Sequence, residues 1–186
     1  MLTWMMICVA VGFAQPAHGP AERELSTPQF AHAFIETQPV QVAVAAGDAQ
    51  PVLLRDSDGT EVARREATGD AGVLDFGPLP PGYYEAVAGQ NVLPLVVLID
   101  PAKRVGGGSR LATDNAMSWL VEASQWEPVA RLLQQCGIRC VRERLSWGEV
   151  ERQRGRYDWG RYDRTATILH EHGIEVYQIF HSVPAW

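Results

Sequence analysis

The chain has 186 residues, is 46% hydrophobic and carries a formal net charge of −6. This length allows one or two domains, and the apolar content is sufficient for hydrophobic cores. Pro20–Ala102 has 12 acidic and 4 basic residues, whereas Lys103–Trp186 has 10 acidic and 12 basic residues, which indicates two units. Neither half contains a basic run, so the sequence argues against nucleic-acid binding.

The N-terminus has the pattern of a secretory signal peptide. Leu2–Ala14 is an uncharged apolar run that is too short to span a bilayer and is followed by small residues and a proline. Small residues at the recognition positions predict cleavage before Gln15, although no basic residue precedes the run. We expect residues 1–14 to be a signal peptide and residues 15–29 a polar leader. The protein is therefore predicted to be secreted or periplasmic, without a transmembrane helix; the alternative is a buried N-terminal segment.

Between Phe30 and Asp100 the sequence contains six short β-type runs separated by turn residues: VQVAVAA, PVLLRD, TEVARRE, GVLDFG, GYYEAVAG and VLPLVVLID. This spacing predicts an antiparallel, all-β Ig-like sandwich over residues 30–100. Asp56–Gly59 lies between two of the runs and predicts a hairpin turn. The alternative, a calcium-binding loop, would need further acidic ligands.

One segment of this β region resembles a known module. Leu79–Tyr84 is similar to the LPPGxY segment that is common in bacterial Ig-like and fibronectin-like accessory domains. Tyr83 and Tyr84 are candidate sugar-stacking residues, but adjacent strand residues face opposite ways, so at most one belongs to a platform. Core packing is our prediction for both.

A glycine-rich break follows at residues 101–110, PAKRVGGGSR. Its three glycines are not followed by Lys-Ser or Lys-Thr at a helix start, so the segment predicts a linker and not a phosphate-binding loop. The next segment, through Trp119, is predicted to be extended.

Helices and strands alternate in the remainder of the chain. A helix is predicted to begin at Pro128, with Val129, Leu132, Leu133 and Cys136 on one apolar face, and to end at Gly137. A strand at Ile138–Leu145, a second helix that ends at Gly173, and a strand at Ile174–His181 follow. This alternation predicts a parallel α/β sheet, open or closed into a barrel.

Cysteines and histidines of this half give no metal site. Cys136 and Cys140 are predicted to be buried thiols and not a disulfide, because a bridge requires α-carbons within about 7 Å and converging Cβ vectors. His170 and His172 have a spacing that points their side chains apart, which predicts a cationic helix end. We therefore expect neither a metal nor another cofactor.

The strand at Ile138–Leu145 has one unusually polar face. Successive residues alternate between faces, so Arg142 and Arg144 share one face while Val141 and Glu143 share the other. Arginines in a buried parallel sheet need a role, which makes Arg142 a candidate for the support of a functional site. The alternative is a structural ion pair with Glu143 or with a neighbouring strand.

The stretch VRERLSW, followed by Glu149, Gly155–Trp159 and Tyr162-Asp163, resembles the second βα unit of clan A glycoside hydrolases, which include cellulases, xylosidases and β-galactosidases. In that clan the second strand commonly ends in Arg, followed by Trp, as Arg142 and Trp147 stand here. The third strand commonly ends in His or a small residue, followed by Pro and Trp or Gly, as in His181–Trp186.

This resemblance covers residues 111–186 and implies the first three βα units of an incomplete TIM-type barrel. It also implies a secreted O-glycosyl hydrolase that acts on poly- or oligosaccharides with a retaining mechanism, so carbohydrate is the expected partner. The implied substrate-binding or site-support residues are Arg142, Trp147, His181 and Trp186. We assign Trp159 to the loop core.

No catalytic residue is assigned, because the clan's acid/base and nucleophile are glutamates on strands four and seven, whereas residues 111–186 have room for about three strands. Glu143, Glu149 and Glu151 lie on one strand and its loop and cannot flank a sugar. We expect the chain to be the N-terminal part of a longer enzyme. The alternative is a non-catalytic secreted protein that binds carbohydrate or protein through its β-sandwich and keeps a remnant barrel segment.

Overall fold

The structure is a computed structural model that describes residues 24–47, 49–103 and 112–186. The predicted signal peptide and most of the predicted linker lie outside these residues. In the described ranges no helix has the length and apolar character needed to cross a membrane.

Eight strands form two sheets in the N-terminal region: β1 (Leu25–Ser26), β2 (Ala33–Ile35), β3 (Pro39–Val44), β4 (Val52–Asp56), β5 (Glu61–Arg65), β6 (Gly72–Pro78), β7 (Gly82–Ala88) and β8 (Asn91–Leu98). The sheet orders are β1-β3-β6 and β2-β8-β7-β4-β5. Neighbours are antiparallel except β2 and β8. All six predicted runs form strands, whereas β1 and β2 are too short to show an alternating pattern. The Ig-like assignment stays a prediction.

Alternating residues of both sheets bury a single hydrophobic core. Val40 and Val42 of β3 are fully buried and join a cluster that contains Leu54 of β4 and Leu95 of β8. This packing follows from the period of two in each strand, which directs every second side chain inward.

The two predicted features of this region have different outcomes. The Asp56–Gly59 hairpin turn is confirmed: the Asp56 carboxylate accepts hydrogen bonds from the backbone N–H groups of Asp58 and Thr60. Tyr84 is buried and its hydroxyl donates to the Pro80 carbonyl oxygen at 2.8 Å. Tyr83 is 45% exposed, so its assignment to the core was wrong, because it lies on the opposite face of β7.

The C-terminal region alternates strands with helices: β9 (Ala112–Asp114), α1 (Met117–Leu120), α2 (Trp126–Gln135), β10 (Cys140–Ser146), α3 (Trp147–Val150), α4 (Gly160–Glu171) and β11 (Glu175–His181). The three strands form a parallel sheet in the order β9-β10-β11. Buried residues of α2 and α4, with Val141 and Ile174, form a core on one face of the sheet. The arrangement is that of a partial β/α barrel.

Two boundaries differ from the predictions. The extended segment ends at Asp114, not at Trp119, because Ala116 adopts a left-handed conformation (φ 45°) and α1 begins directly after it. Helix α2 begins at Trp126, which places Pro128 in its first turn, where a missing N–H removes no intrahelical hydrogen bond.

No disulfide joins Cys136 and Cys140 in the described part of the chain, but the predicted burial of both was wrong, since Cys136 is exposed at the end of α2. His172 lies just beyond α4 and contacts α2: its Nε2 is 2.8 Å from the Glu127 carboxylate and its Nδ1 is 3.2 Å from the Gln134 side-chain oxygen. The histidine thus links the two helices.

Candidate functional site

The carboxyl ends of β9, β10 and β11 lie at one edge of the sheet, where active sites of β/α barrels are built. Ser146, the last residue of β10, is aligned with His181, the last residue of β11. Trp147 directly follows Ser146, and the segment that ends in Trp186 directly follows His181. Three of the four predicted site residues therefore lie at this edge. Arg142 lies on β10 four residues before Ser146.

Arg142 and Arg144 share one acidic partner on the face of the sheet that the helices leave open. Both guanidinium groups donate to Oδ2 of Asp114, at the end of β9. The hydrogen bond from Arg142 holds the pKa of the Asp114 carboxyl below its ordinary value, and Arg144 adds to the effect. The neighbouring-strand ion pair that the sequence left open is therefore present.

Glu151 joins Trp147 to Trp186. The carboxylate of Glu151 accepts hydrogen bonds from the Trp147 indole and the Gly155 backbone N–H, each at 2.7 Å. Its backbone oxygen accepts from the Trp186 indole at 2.8 Å. The N–H donors keep the pKa of the Glu151 carboxyl below its ordinary value, although the residue is only 2% exposed. Both indole rings remain partly open to solvent, with 41% of Trp147 and 50% of Trp186 exposed.

A glycine permits this arrangement. A Cβ atom at Gly148 would lie 3.2 Å from the backbone oxygen of Val183, so a side chain at this position would push the last segment away from α3. Ser182 begins that segment with a positive φ of 60°. The close approach therefore brings Trp186 over the loop that contains Glu151.

The Tyr162 hydroxyl is a second hydrogen-bonding centre at the same edge. It accepts from the Trp119 indole at 3.2 Å and from the Ser146 backbone N–H at 3.0 Å, and donates to the Glu149 carboxylate at 3.1 Å. Trp119 in turn meets the His181 ring edge to face, with 5.2 Å between ring centroids. The exposed His181 is thus held against an ordered aromatic side chain.

Two further aromatic residues lie on the loop after α3. Tyr157 and Trp159 stack with nearly parallel rings, 6.0 Å between centroids, and are 57% and 40% exposed. The assignment of Trp159 to the loop core was therefore wrong. A large apolar side chain in a loop is not necessarily internal, and sequence type alone does not distinguish the two cases.

A surface cavity of about 560 Å³ lies between α1 and the start of α4. Its lining includes Trp119, two acidic residues, Glu122 and Asp158, and two basic residues, Arg161 and Arg164. The cavity therefore offers hydrogen-bonding groups of both signs beside the aromatic residue that contacts His181. No cluster of three or more potential metal ligands occurs within residues 24–47, 49–103 and 112–186.

Sequence reasoning missed Asp114, Trp119 and Tyr162, and it considered Glu151 only as a catalytic carboxylate. The sequence does contain a signal for Asp114. An acidic residue at the end of one strand can neutralise the charge of arginines on the neighbouring strand. The roles of Trp119 and Tyr162 depend on contacts between residues 43 positions apart, which no local pattern contains.

Comparison with known proteins supports the partial-barrel fold of the C-terminal region. Residues 117–186 match the model of glycoside hydrolase family 42, described as β-galactosidase. A family 39 glycoside hydrolase from the gut symbiont Bacteroides cellulosilyticus WH2 is 16% identical with a TM-score of 0.52, and the match covers 80% of this chain and 32% of that one. No curated protein matches the chain.

Two further solved structures are similar over a shorter stretch: AaCel9A in complex with cellobiose-like isofagomine, and a single mutant of a thermostable endoglucanase from Alicyclobacillus acidocaldarius. Each is 23% identical with a TM-score of 0.30, and each match covers 35% of this chain and 13% of that one. The chain thus spans about a third, or less, of the length of the solved structures it matches.

The C-terminal region has the fold of a partial TIM-type barrel and resembles glycoside hydrolases over residues 117–186. The predicted resemblance to clan A glycoside hydrolases is confirmed by the family match over residues 117–186 and by the fold of the family 39 enzyme.

Proposed function

We propose that the chain is the substrate-binding N-terminal part of a secreted O-glycosyl hydrolase that acts on poly- or oligosaccharides and retains the anomeric configuration. The observation that carries this proposal is the match to the β-galactosidase family over residues 117–186, the segment that contains Trp147, His181 and Trp186 at its strand ends.

The aromatic residues would bind the sugar. Trp147 and Trp186 are each fixed by a hydrogen bond to Glu151 and are each about half exposed, so their rings are ordered yet accessible. An ordered aromatic face provides apolar contact area for a pyranose ring, and pockets of this kind add a few polar groups for orientation. His181 supplies such a group, and the cavity beside Trp119 gives room for a further sugar unit.

Arg142 would act on a catalytic carboxylate. Asp114 is bound by Arg144 as well as by Arg142, so Arg142 can turn to a second carboxylate while Asp114 keeps a cationic partner. A guanidinium beside a carboxylate favours its ionised form. A retaining glycosidase needs one of its two carboxylates ionised as the nucleophile, about 5 to 5.5 Å from the acid.

The test of this reaction uses the protein encoded by the complete gene, including any codons that follow Trp186. Nitrophenyl β-galactoside, β-glucoside and β-xyloside are the substrates, and proton NMR records the first anomer released. We expect hydrolysis of at least one glycoside with retention. Inversion would contradict the mechanism, and no hydrolysis of any glycoside by the folded protein would contradict the activity.

Arg142→Ala should lower the hydrolysis rate of that protein at least tenfold, because a charge-assisted hydrogen bond contributes about 1.5 to 3 kcal/mol. The substitution should also shift the acidic limb of the pH–rate profile to higher pH, because the nucleophilic carboxylate loses a group that favours its ionised form. Arg142→Lys should restore activity only in part, since lysine lacks the planar fork. Arg139→Ala, which removes an exposed arginine just before β10, is the control. Unchanged turnover and pH profile with lower thermal stability would make Arg142 a structural ion-pair residue only.

Export and the accessory domain complete the proposal. We propose that residues 1–14 are a signal peptide and that residues 30–100 form an Ig-like accessory β-sandwich; eight strands around one core support the latter. N-terminal sequencing of the exported protein should begin at Gln15. A mature protein that begins at Met1 would contradict export through this signal.

A further inference from the structure

Glu143 is a buried carboxylate on the face of β10 that the helices cover, and it is only 3% exposed. Burial raises its pKa above the ordinary value. A buried carboxyl group is costly unless its oxygens are used in specific hydrogen bonds. Of its two oxygens, Oε1 accepts hydrogen bonds and Oε2 has no partner among the described residues.

The first oxygen, Oε1, holds the loop between β9 and α1. It accepts a hydrogen bond from the Asn115 side-chain amide at 3.0 Å and one from the Met117 backbone N–H at 3.1 Å. Between these residues Ala116 adopts a left-handed conformation that is unfavourable for a residue with a Cβ. The carboxylate therefore stabilises the turn that starts α1, and Trp119 follows two residues after Met117.

The second oxygen, Oε2, is buried without a hydrogen-bond partner within the described residues, and the same is true of Nε2 of Gln178 on β11. Gln178 is aligned with Glu143 in the parallel register, so the two side chains project from neighbouring strands on the same face. One of these two atoms is a hydrogen-bond acceptor and the other a donor, so the two side chains are complementary.

Gln178 precedes His181 by three residues on β11, and Trp119 contacts His181 with ring centroids 5.2 Å apart. We propose that Glu143 is a positioning residue that sets the Trp119–His181 contact, because one oxygen holds the loop before Trp119 and the other pairs with the Gln178 amide on the strand before His181. Its importance for saccharide binding rests on the proposed function, but the positioning itself does not.

The interaction of Glu143 with the loop before α1 and its proposed interaction with β11 can be tested by different substitutions. Glu143→Ala removes both carboxyl oxygens, whereas Gln178→Leu removes only the proposed partner on β11. Glu143→Gln keeps an acceptor for the loop, and its own amide can pair with a reversed Gln178 amide. Glu175→Ala, at the exposed start of β11, is the matched control.

The measurement is an NMR comparison of the full chain and its variants without any saccharide, following the Trp119 indole N–H signal and the His181 ring protons. We expect both signals to move in Glu143→Ala, the His181 signal to move in Gln178→Leu, and both to stay near their original positions in Glu143→Gln and in the control. A purely structural carboxylate would lower the unfolding midpoint of Glu143→Ala without moving these signals in the folded protein.

Unmoved signals in folded Glu143→Ala would overturn the proposal. If Glu143→Ala does not fold, Gln178→Leu and Glu143→Gln decide: a moved His181 signal in the first with unmoved signals in the second supports the proposal, and any other combination overturns it. Because no substrate is used, the result is independent of whether the complete protein hydrolyses glycosides.

Discussion

The two regions of the chain differ in how completely they bury their apolar side chains. The N-terminal region gathers 13 buried residues into one core between its two sheets. The C-terminal region divides its buried residues into two clusters of six and three, and β11 leaves Tyr177 and Phe180 64% and 70% exposed. The face with Asp114, Arg142 and Arg144 is polar and open. The first region is thus organised around a closed core, and the second around a face and an edge where ligand-binding groups collect.

The largest expected effect separates the stabilities of the two regions. Leu54→Ala and Leu169→Ala each remove a fully buried side chain, one from each core, and should each lower the free energy of unfolding by about 2 to 5 kcal/mol. Leu120→Ala, at a 75% exposed position, is the control and should change it by less than about 0.5 kcal/mol.

The tryptophans report on one region only. Five of the six lie after residue 111, and the other lies in the predicted signal peptide. In the mature protein Leu169→Ala should therefore shift the unfolding transition seen by tryptophan fluorescence, whereas Leu54→Ala should shift only the transition seen by circular dichroism. If each variant shifted both transitions equally, the two regions would unfold as one unit.

A smaller effect is expected at the Tyr162 hydroxyl, which orders the edge of the second region. Tyr162→Phe leaves the ring in the core but removes the acceptor for the Trp119 indole and the Ser146 N–H. Loss of a partner for a partly buried donor costs about 1 to 3 kcal/mol. The fluorescence transition should move by that amount and the circular-dichroism transition of the first region should not. Tyr83→Phe, on an exposed face, is the control.

The smallest effect is a pH dependence that the two carboxyls of the second region should give with opposite signs. The pKa of Asp114 is lowered from 3.8, chiefly by its hydrogen bond from Arg142. Its contribution to the free energy of unfolding is therefore present above that value and lost as the pH falls through the lowered pKa. The pKa of Glu143 is raised from 4.5 by burial. Its contribution to the free energy of unfolding is therefore present below that value and lost as the pH rises through the raised pKa.

Urea unfolding followed by tryptophan fluorescence at a series of pH values tests both signs. Asp114→Asn should flatten the acid side of the stability curve by about 1 kcal/mol or less, because the ion pairs are partly exposed. Glu143→Gln should flatten the decrease in the free energy of unfolding that occurs as the pH rises through the raised pKa of Glu143. A steeper acid side in Asp114→Asn would contradict the assigned direction for that carboxyl.

Sequence patterns predicted the parts of this fold that repeat locally. The six predicted β runs and the helices that end at Gly137 and Gly173 have clear periods of two or 3.6 residues, and all are present. Strand β1 has two residues and α1 has four, which is too short for any period to show. Helix α1 depends on the Glu143 carboxylate, a contact across 26 positions.

The candidate site shows the same division. Arg142, Trp147, His181 and Trp186 were found because they follow strand ends in an order similar to that of a known clan. Their partners Asp114, Glu151 and Trp119 lie on other loops or strands, so their contacts follow only from the folded geometry. Trp159 was assigned to the interior from residue type and Cys136 from its place on the apolar face of a predicted helix, and the structure exposes both.

The most direct test of the account asks which region binds saccharide. The full chain is titrated with lactose, cellobiose and xylobiose while NMR follows the indole signals of Trp147 and Trp186, the His181 ring and the Tyr83 ring. The account predicts that at least one disaccharide moves the Trp147, Trp186 and His181 signals and leaves both Tyr83 and the buried Trp126 unchanged. Movement of the Tyr83 signals alone would contradict it and favour a binding module in the N-terminal region.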